Sequence, residues 1–162
     1  METLDSFDIA ILQQLQADGR MTNAELAQRV GLSAAPCWRR VRELERNGFI
    51  TGYRAVIDRH KIGLGVLAFV RLDADRSTGN LTRAMEEAIR QIPEVVACHY
   101  ISGTGTFELQ VVARDLDSFS QFARDVLLNL PNVKDMHTSF SLGEVKASGA
   151  LPLAHLTALK SR

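Results

Sequence analysis

Apolar residues return at helical spacing from the start of the chain. In LDSFDIAILQQLQADG, Phe7, Ile11, Leu12 and Leu15 predict an amphipathic helix, capped by Asp5 and ended by Gly19. TNAELAQRVG repeats the pattern. Thr22 and Glu25 stand at capping-box spacing, Leu26 and Val30 face inward, and Gly31 ends the run. A third helix begins at Ser33 and stops at Asn47-Gly48. Pro36 is tolerated in its first turn, where an amide hydrogen has no helical partner anyway. Only VGLSA separates the second and third helices, so they must cross steeply, as in a helix-turn-helix. FITGYRAVID then alternates around Thr51-Gly52 and predicts a short hairpin, a wing behind three helices.

After the aperiodic DRHKIGLG the period changes. LGVLAFVRLDA reads as a strand, with Val66, Ala68, Val70 and Leu72 on one face and Leu67 and Phe69 on the other. NLTRAMEEAIRQI reads as a helix with Leu81, Met85, Ala88 and Ile92 inward. VVACHYIS and FELQVVA are strands joined by GTGT. LDSFSQFARDVLLNL is a helix with Phe119, Phe122, Ala123, Val126, Leu127 and Leu130 on one side, and VKDMHTSFSL is a last strand. IPEVVACH and LPNVKDMH form a faint internal repeat. The order βαββαβ is a doubled βαβ unit. The expected fold class is therefore α+β: an N-terminal winged helix-turn-helix followed by a ferredoxin-like βαββαβ sandwich. The expected boundaries are 1–57 for the first domain, 58–65 for a linker, 66–150 for the second domain and 151–162 for a tail. Leu67 and Phe69 keep the helix-free sheet face apolar, which points to a homodimer pressing sheet to sheet.

Composition narrows the class. The chain has 162 residues, 46% apolar and 23% charged, as globular proteins do. No apolar run approaches the ~20 residues of a membrane span. METLDSFDIA carries acids where a signal peptide needs bases, so a cytoplasmic location and no membrane partner are expected. Cys37 and Cys98 fit no metal spacing and sit among apolar residues, which reads as two reduced core thiols.

Charge changes the picture more. The net charge is zero, but residues 33–61 carry Arg39, Arg40, Arg42, Arg46, Arg54, Arg59 and Lys61 against Glu43, Glu45 and Asp58. At 100° per residue Cys37, Val41 and Leu44 form the inward stripe of the third helix. Ala35, Arg39, Arg42 and Arg46 lie opposite, with Trp38 and Arg40 on the flanks. The small residues Ser33, Ala34 and Ala35 suit a helix start that enters a groove about 12 Å wide. The candidate DNA-binding residues are thus Ser33, Ala35, Trp38, Arg39, Arg42, Arg46 and, on the wing, Arg54. The alternative is a three-helix bundle with a solvated basic face. No catalytic constellation, metal set or cofactor motif appears. His99 and His137 take matching places in the repeat but have no third ligand nearby, and GTGTF precedes a strand rather than opening a helix.

The chain as a whole resembles the Lrp/AsnC (feast/famine) transcription regulators. LDSFDIAILQQLQADGR, AELAQRVGLSAAPCWRRVRELERNGFI, IGLG and the terminal ALPL carry the resemblance. It implies a DNA-binding regulator whose dimers assemble further to tetramers or octamers. It also implies an amino-acid effector bound between dimers in the second domain, and Ser33 to Arg42 as the groove-entering part of the recognition helix. In the effector region the family usually carries Gly-Asp-aromatic-Asp. Here Ser102, Gly103, Thr104, Gly105 and Thr106 fill that turn, with threonines where aspartates are usual. A carboxylate is the natural partner of an α-ammonium group, so the turn is either an altered effector site or simply a tight hairpin connection. Two other functions fit the architecture. One is an architectural protein that compacts DNA with little base specificity. The other is an enzyme similar to the sirohaem decarboxylases, which would need His99 or His137.

Overall fold

The computed structural model describes residues 4–74, 79–102, 107–147 and 149–158. The chain divides into two compact units, Met1–Val56 with Lys146–Arg162, and Ile57–Val145.

The first unit holds α1 (Ser6–Ala17), α2 (Asn23–Val30), α3 (Ala34–Arg46) and, from the tail, α6 (Ala154–Ala158). Its helix starts follow the capping logic of the sequence. Asp5 and Asp8 cap α1 reciprocally, and Thr22 and Glu25 do the same for α2. The Glu25 carboxyl is held below its ordinary pKa, first by the Thr22 hydroxyl and then by the Thr22 amide. Gly31 closes α2 in the left-handed region that glycine adopts without strain. Ser33 takes the N-cap position of α3, but its hydroxyl makes no capping bond. The core consists of Ile11, Leu26, Ala27, Cys37 and Leu44. Phe7, expected on the inward stripe, is exposed, and the Arg40 guanidinium lies over its ring at 5.5 Å.

One difference from the sequence reading concerns the chain beyond α3. No strand forms between residues 49 and 58. A lone two-stranded ribbon is marginal in water, and here Tyr53 is drawn away instead. Its hydroxyl donates to Glu45 of α3 at 3.2 Å, and its ring packs on Gly19. The tail, in turn, is part of the first unit. The Gln16 amide donates to the Leu151 carbonyl at 3.3 Å and accepts from the Leu151 amide at 2.6 Å. Leu151, Leu153 and Leu156 then line an apolar groove with Leu12, Leu15 and Phe49.

The second unit is a four-stranded antiparallel sheet in the order β2-β3-β1-β4, from β1 (Val66–Ala74), β2 (Val95–Tyr100), β3 (Phe107–Ala113) and β4 (Val133–Phe140). Helices α4 (Gly79–Arg90) and α5 (Leu116–Asp125) supply Met85, Ile89, Phe119 and Ala123 to one face, where they meet Ala68, Val70, Leu72, Leu109 and Val111. This is the expected βαββαβ sandwich. Helix α5 ends earlier than its apolar stripe suggests. Asn129 donates to the carbonyls of Arg124 and Asp125, both at 3.0 Å, and a single 3₁₀ turn, Leu127–Asn129, follows. The IGLG segment has a steric reason. The Gly65 amide bonds the Arg114 carbonyl at 3.2 Å, and a Cβ at Gly65 would come within 2.9 Å of that oxygen. Cys37 is buried as expected, but Cys98 is exposed on β2, an edge strand. The edge has a neighbour on one side only, so an apolar sequence context did not enclose the thiol.

Candidate nucleic-acid interface and effector region

Helix α3 sorts its four arginines by geometry. Cys37 and Leu44 are buried, which turns Arg39, Arg42 and Arg46 to solvent. Arg40 points the other way. Its Nη1 lies 2.7 Å from Asp5 Oδ2 and 2.8 Å from Asp8 Oδ1. The guanidinium therefore ties α3 to the capping box of α1 and is spent on structure. Partial burial would raise the Asp5 pKa, but the Asp8 amide bond and Arg40 outweigh it and hold the carboxyl below its ordinary value.

The outward face carries a local network. Arg42 Nη1 pairs with Glu45 Oε2 at 3.2 Å, and its guanidinium carbon sits 5.9 Å from the centre of the Trp38 ring. Trp38 is 58% exposed beside these arginines. Glu45 holds Arg42 with one carboxylate oxygen and Tyr53 with the other. The Tyr53 pKa is pushed up, first by burial and then by that bond. Trp38, Arg39, Arg42, Glu43, Glu45 and Arg46 thus form one continuous surface. The sequence pattern missed the parts played by Glu45 and Tyr53. The Arg42–Glu45 spacing was a visible signal, but the Tyr53 contact depends on how the chain turns after Gly48.

Ser33 and Ala35 are exposed at the start of α3. Since Ser33 makes no capping bond, and Pro36 has no amide hydrogen, the amides of Ala34 and Ala35 head a helix N-terminus with its positive dipole end. Such an end suits a phosphate oxygen. Arg54 is exposed, but on an irregular segment rather than a wing strand. The structure therefore brings Ser33, Ala35, Trp38, Arg39, Arg42 and Arg46 onto one helix and leaves Arg54 outside it.

Of the effector-region residues, Ser102 is exposed just after β2. Gly103, Thr104, Gly105 and Thr106 lie outside the described residues. A small groove of about 210 Å³ is lined by Glu86, Ile89, Arg90, Cys98, Tyr100 and Phe107. The Tyr100 and Phe107 rings meet edge to face at 5.3 Å. Although Cys98 as a residue is exposed, its thiol sits in this groove, and partial desolvation, then the Glu86 charge, pushes its pKa up, opposite to what an activated thiol needs.

His99 and His137 share the helix-free face of the sheet but do not converge. His137 is opposite Arg71, Arg71 opposite Glu108, and Glu108 opposite His99. Three strand spacings separate the imidazoles, roughly 14 Å. Among the described residues no group of three histidines, cysteines or carboxylates is placed to hold a metal ion. Among them, too, no helix is long and apolar enough to cross a membrane.

Comparison with known proteins places both units. Residues 4–51 match the winged helix-turn-helix DNA-binding family model, and residues 67–151 match the Lrp/AsnC ligand binding domain. The leucine-responsive regulatory protein of Escherichia coli is 38% identical over 148 residues, covering 91% of this chain and 90% of its own. A Neisseria meningitidis transcriptional regulator, solved as a complex with L-Met, superposes with a TM-score of 0.91 at 40% identity, over 95% of this chain and 99% of that one. An AsnC family transcriptional regulator from Agrobacterium tumefaciens gives 0.88 at 30% identity, covering 94% and 99%.

Proposed function

The chain belongs to the Lrp/AsnC family of transcriptional regulators, and we propose that it reads specific DNA sites through the outward face of α3 under the control of an amino acid or related metabolite. The observation that carries this reading is the division of labour on α3. Arg40 is locked to Asp5 and Asp8, while Arg39, Arg42 and Arg46 face solvent beside an exposed Trp38. In this reading Arg39 and Arg42 meet base edges in the major groove, and Arg46 meets the backbone. Ser33 and Ala35 let the helix start approach closely, and Arg54 adds a phosphate contact from the neighbouring segment. The protein acts by binding, not by catalysis, and works in the cytoplasm.

Ser102, Gly103, Thr104, Gly105 and Thr106 form the effector turn. The L-Met complex of a relative 40% identical supports an amino acid as the class of ligand. Thr104 and Thr106 supply hydroxyls in place of carboxylates, so backbone groups carry more of the recognition of an α-ammonium group here. Two copies pair through the helix-free sheet face, where Leu67 and Phe69 lie, and pairs assemble to a tetramer or octamer. An effector controls DNA binding only by favouring one state of that assembly over another.

The test is DNA binding by the full chain, read by fluorescence anisotropy on promoter fragments. Replacing Arg39, Arg42 and Arg46 together with alanine should abolish specific binding and leave the fold intact. Replacing Arg39 alone should weaken specific binding by about 1–3 kcal/mol and relax preference at one base pair. Unchanged binding by the triple variant would overturn the assignment of α3.

A further inference from the structure

The helix-free face of the sheet is not uniformly apolar. Strand register lays it out in transverse rows. One row pairs Leu67 of β1 with Val112 of β3, and the next pairs Phe69 with Gln110. The third runs across all four strands as His137, Arg71, Glu108 and His99. At its centre Arg71 Nε lies 3.0 Å from Glu108 Oε2, with side chains 54% and 34% exposed. At one end His137 Nε2 lies 3.1 Å from Asp135 Oδ2. Leu67, Phe69, Gln110 and Val112 are half-buried on this face, and both helices of the unit lie on the other.

We propose that the Arg71–Glu108 pair is the register key of a homodimer that stacks two of these faces, with the two-fold axis running along the strands between β1 and β3. The inference rests on the sheet-to-sheet pairing proposed above and adds its geometry. Rotation about such an axis keeps every residue at its height along the strands and exchanges β1 with the β3 of the other copy. Leu67 then meets Val112 of the partner subunit. Phe69 meets Gln110 of the partner subunit, and Arg71 meets Glu108 of the partner subunit. The Leu67–Val112 row falls on its own copy, Phe69 falls on Gln110, and Arg71 and Glu108 each fall on the opposite charge, twice over, as an isologous contact requires.

An in-plane axis across the strands does the reverse. It lays β1 over β1, so centring it on this row sets Arg71 against Arg71 of the partner subunit. Centring it on the Phe69 row lays Leu67 on Arg71 of the partner subunit, and centring it between the Leu67 and Phe69 rows leaves Arg71 and Glu108 without an opposite charge across the interface. Stacked sheets cross at about 30°. With the crossing centred on this row, the central strands lie only ~2.4 Å from the proposed axis and the Arg71 and Glu108 contacts move by about 1 Å, while the Leu67 row, about 13 Å along the strand, shifts sideways by about 7 Å. The outer strands lie about 7 Å away and shift by about 4 Å, which leaves His99 and His137 as weaker contributors. In some assemblies a buried polar or ionic pair fixes register while adding little affinity, and a key of that kind is what this row supplies.

The experiment is a charge exchange that keeps the pair within each chain. The full-length Arg71→Glu/Glu108→Arg variant retains an in-chain ion pair and should dimerise as wild type does. In a mixed dimer, however, Arg71 of wild type would meet an arginine and Glu108 a glutamate. Isotope-labelled wild type and the variant are mixed, left to exchange subunits, and read by native mass spectrometry. Self-sorting supports the proposal, with mixed dimers depleted at least about tenfold, since like-charge juxtaposition at an interface is strongly unfavourable. Statistical mixing overturns it, and so does a preference for mixed dimers, which the axis across the strands would produce. A second arm mixes the single variants Arg71→Glu and Glu108→Arg. Each should self-associate poorly and the two together well, although the like-charge pair inside each chain is unchanged by mixing. Absence of such rescue also overturns the key. Phe69→Glu separates the two levels of inference. If it leaves association intact, pairing through this face is wrong altogether. If it dissociates the dimer while the charge variants mix at random, only the key is wrong.

Discussion

Replacing Arg40 with alanine should cost fold stability and spare DNA recognition, whereas replacing Arg39 should do the opposite. The two residues are neighbours of the same type on one helix, so only structure separates them. Arg40 bonds two carboxylates at 2.7 and 2.8 Å and covers the Phe7 ring at 5.5 Å. Its side chain is 28% exposed, so the pairs lie between a surface bridge and a buried one. A hydrogen bond to a charged group contributes about 1.5–3 kcal/mol when enclosed, and an exposed pair about 0.2–1 kcal/mol. Two such contacts with a cation–π contribution of about 0.5–1 kcal/mol give a loss of roughly 2 kcal/mol. Each kcal/mol moves the midpoint of a domain this small by about 4–8 °C. The first unit of Arg40→Ala should therefore melt about 8–16 °C lower, as followed by the fluorescence of Trp38, the only tryptophan. Arg39→Ala should melt within a few degrees of wild type. The pH dependence has a definite sign. Asp5 has its folded pKa below the ordinary value of 3.8. Its contribution is complete well above that value and is lost as pH falls through the folded pKa. The gap between wild type and Arg40→Ala should thus be widest near neutrality and close in strong acid. Arg40→Ala melting like wild type while losing DNA affinity as Arg39→Ala does would refute the division of labour.

Three further outcomes are expected. Phe69→Glu buries a charge in the proposed sheet interface at a cost of several kcal/mol, so sedimentation should show dissociation or aggregation, and a wild-type monomer at micromolar concentration would sink the interface. Thr104→Asp/Thr106→Asp should raise affinity for ordinary amino acids in a thermal-shift screen, and loss rather than gain of binding would show that the threonines are themselves the ligands. Gln16→Ala removes both bonds to Leu151, and a lower melting point of about 0.5–1.5 kcal/mol equivalent per bond, with faster proteolysis of the tail, would confirm that the tail is held on α1.

The sequence alone determined what repeats locally. Caps, stops and periods are set by residues within a turn or two of each other. Asp5, Thr22, Gly31 and the alternation of β1 were therefore legible, and with them the helix-turn-helix and the βαββαβ order. The outward placement of Arg39, Arg42 and Arg46 was legible for the same reason, because helical periodicity fixes direction once Cys37 and Leu44 are inside. Tertiary structure decided everything that pairs residues distant in sequence. It assigned Arg40 to Asp5 and Asp8, drew Tyr53 onto Glu45 where a wing strand had been expected, and returned Leu151 to Gln16 across 135 positions. It left Cys98 outside, because an edge strand has one neighbour rather than two. Most of all it built the row His137, Arg71, Glu108 and His99 from four separate strands. No local pattern encodes such a row, since strand register is settled only when the whole sheet finds its common core.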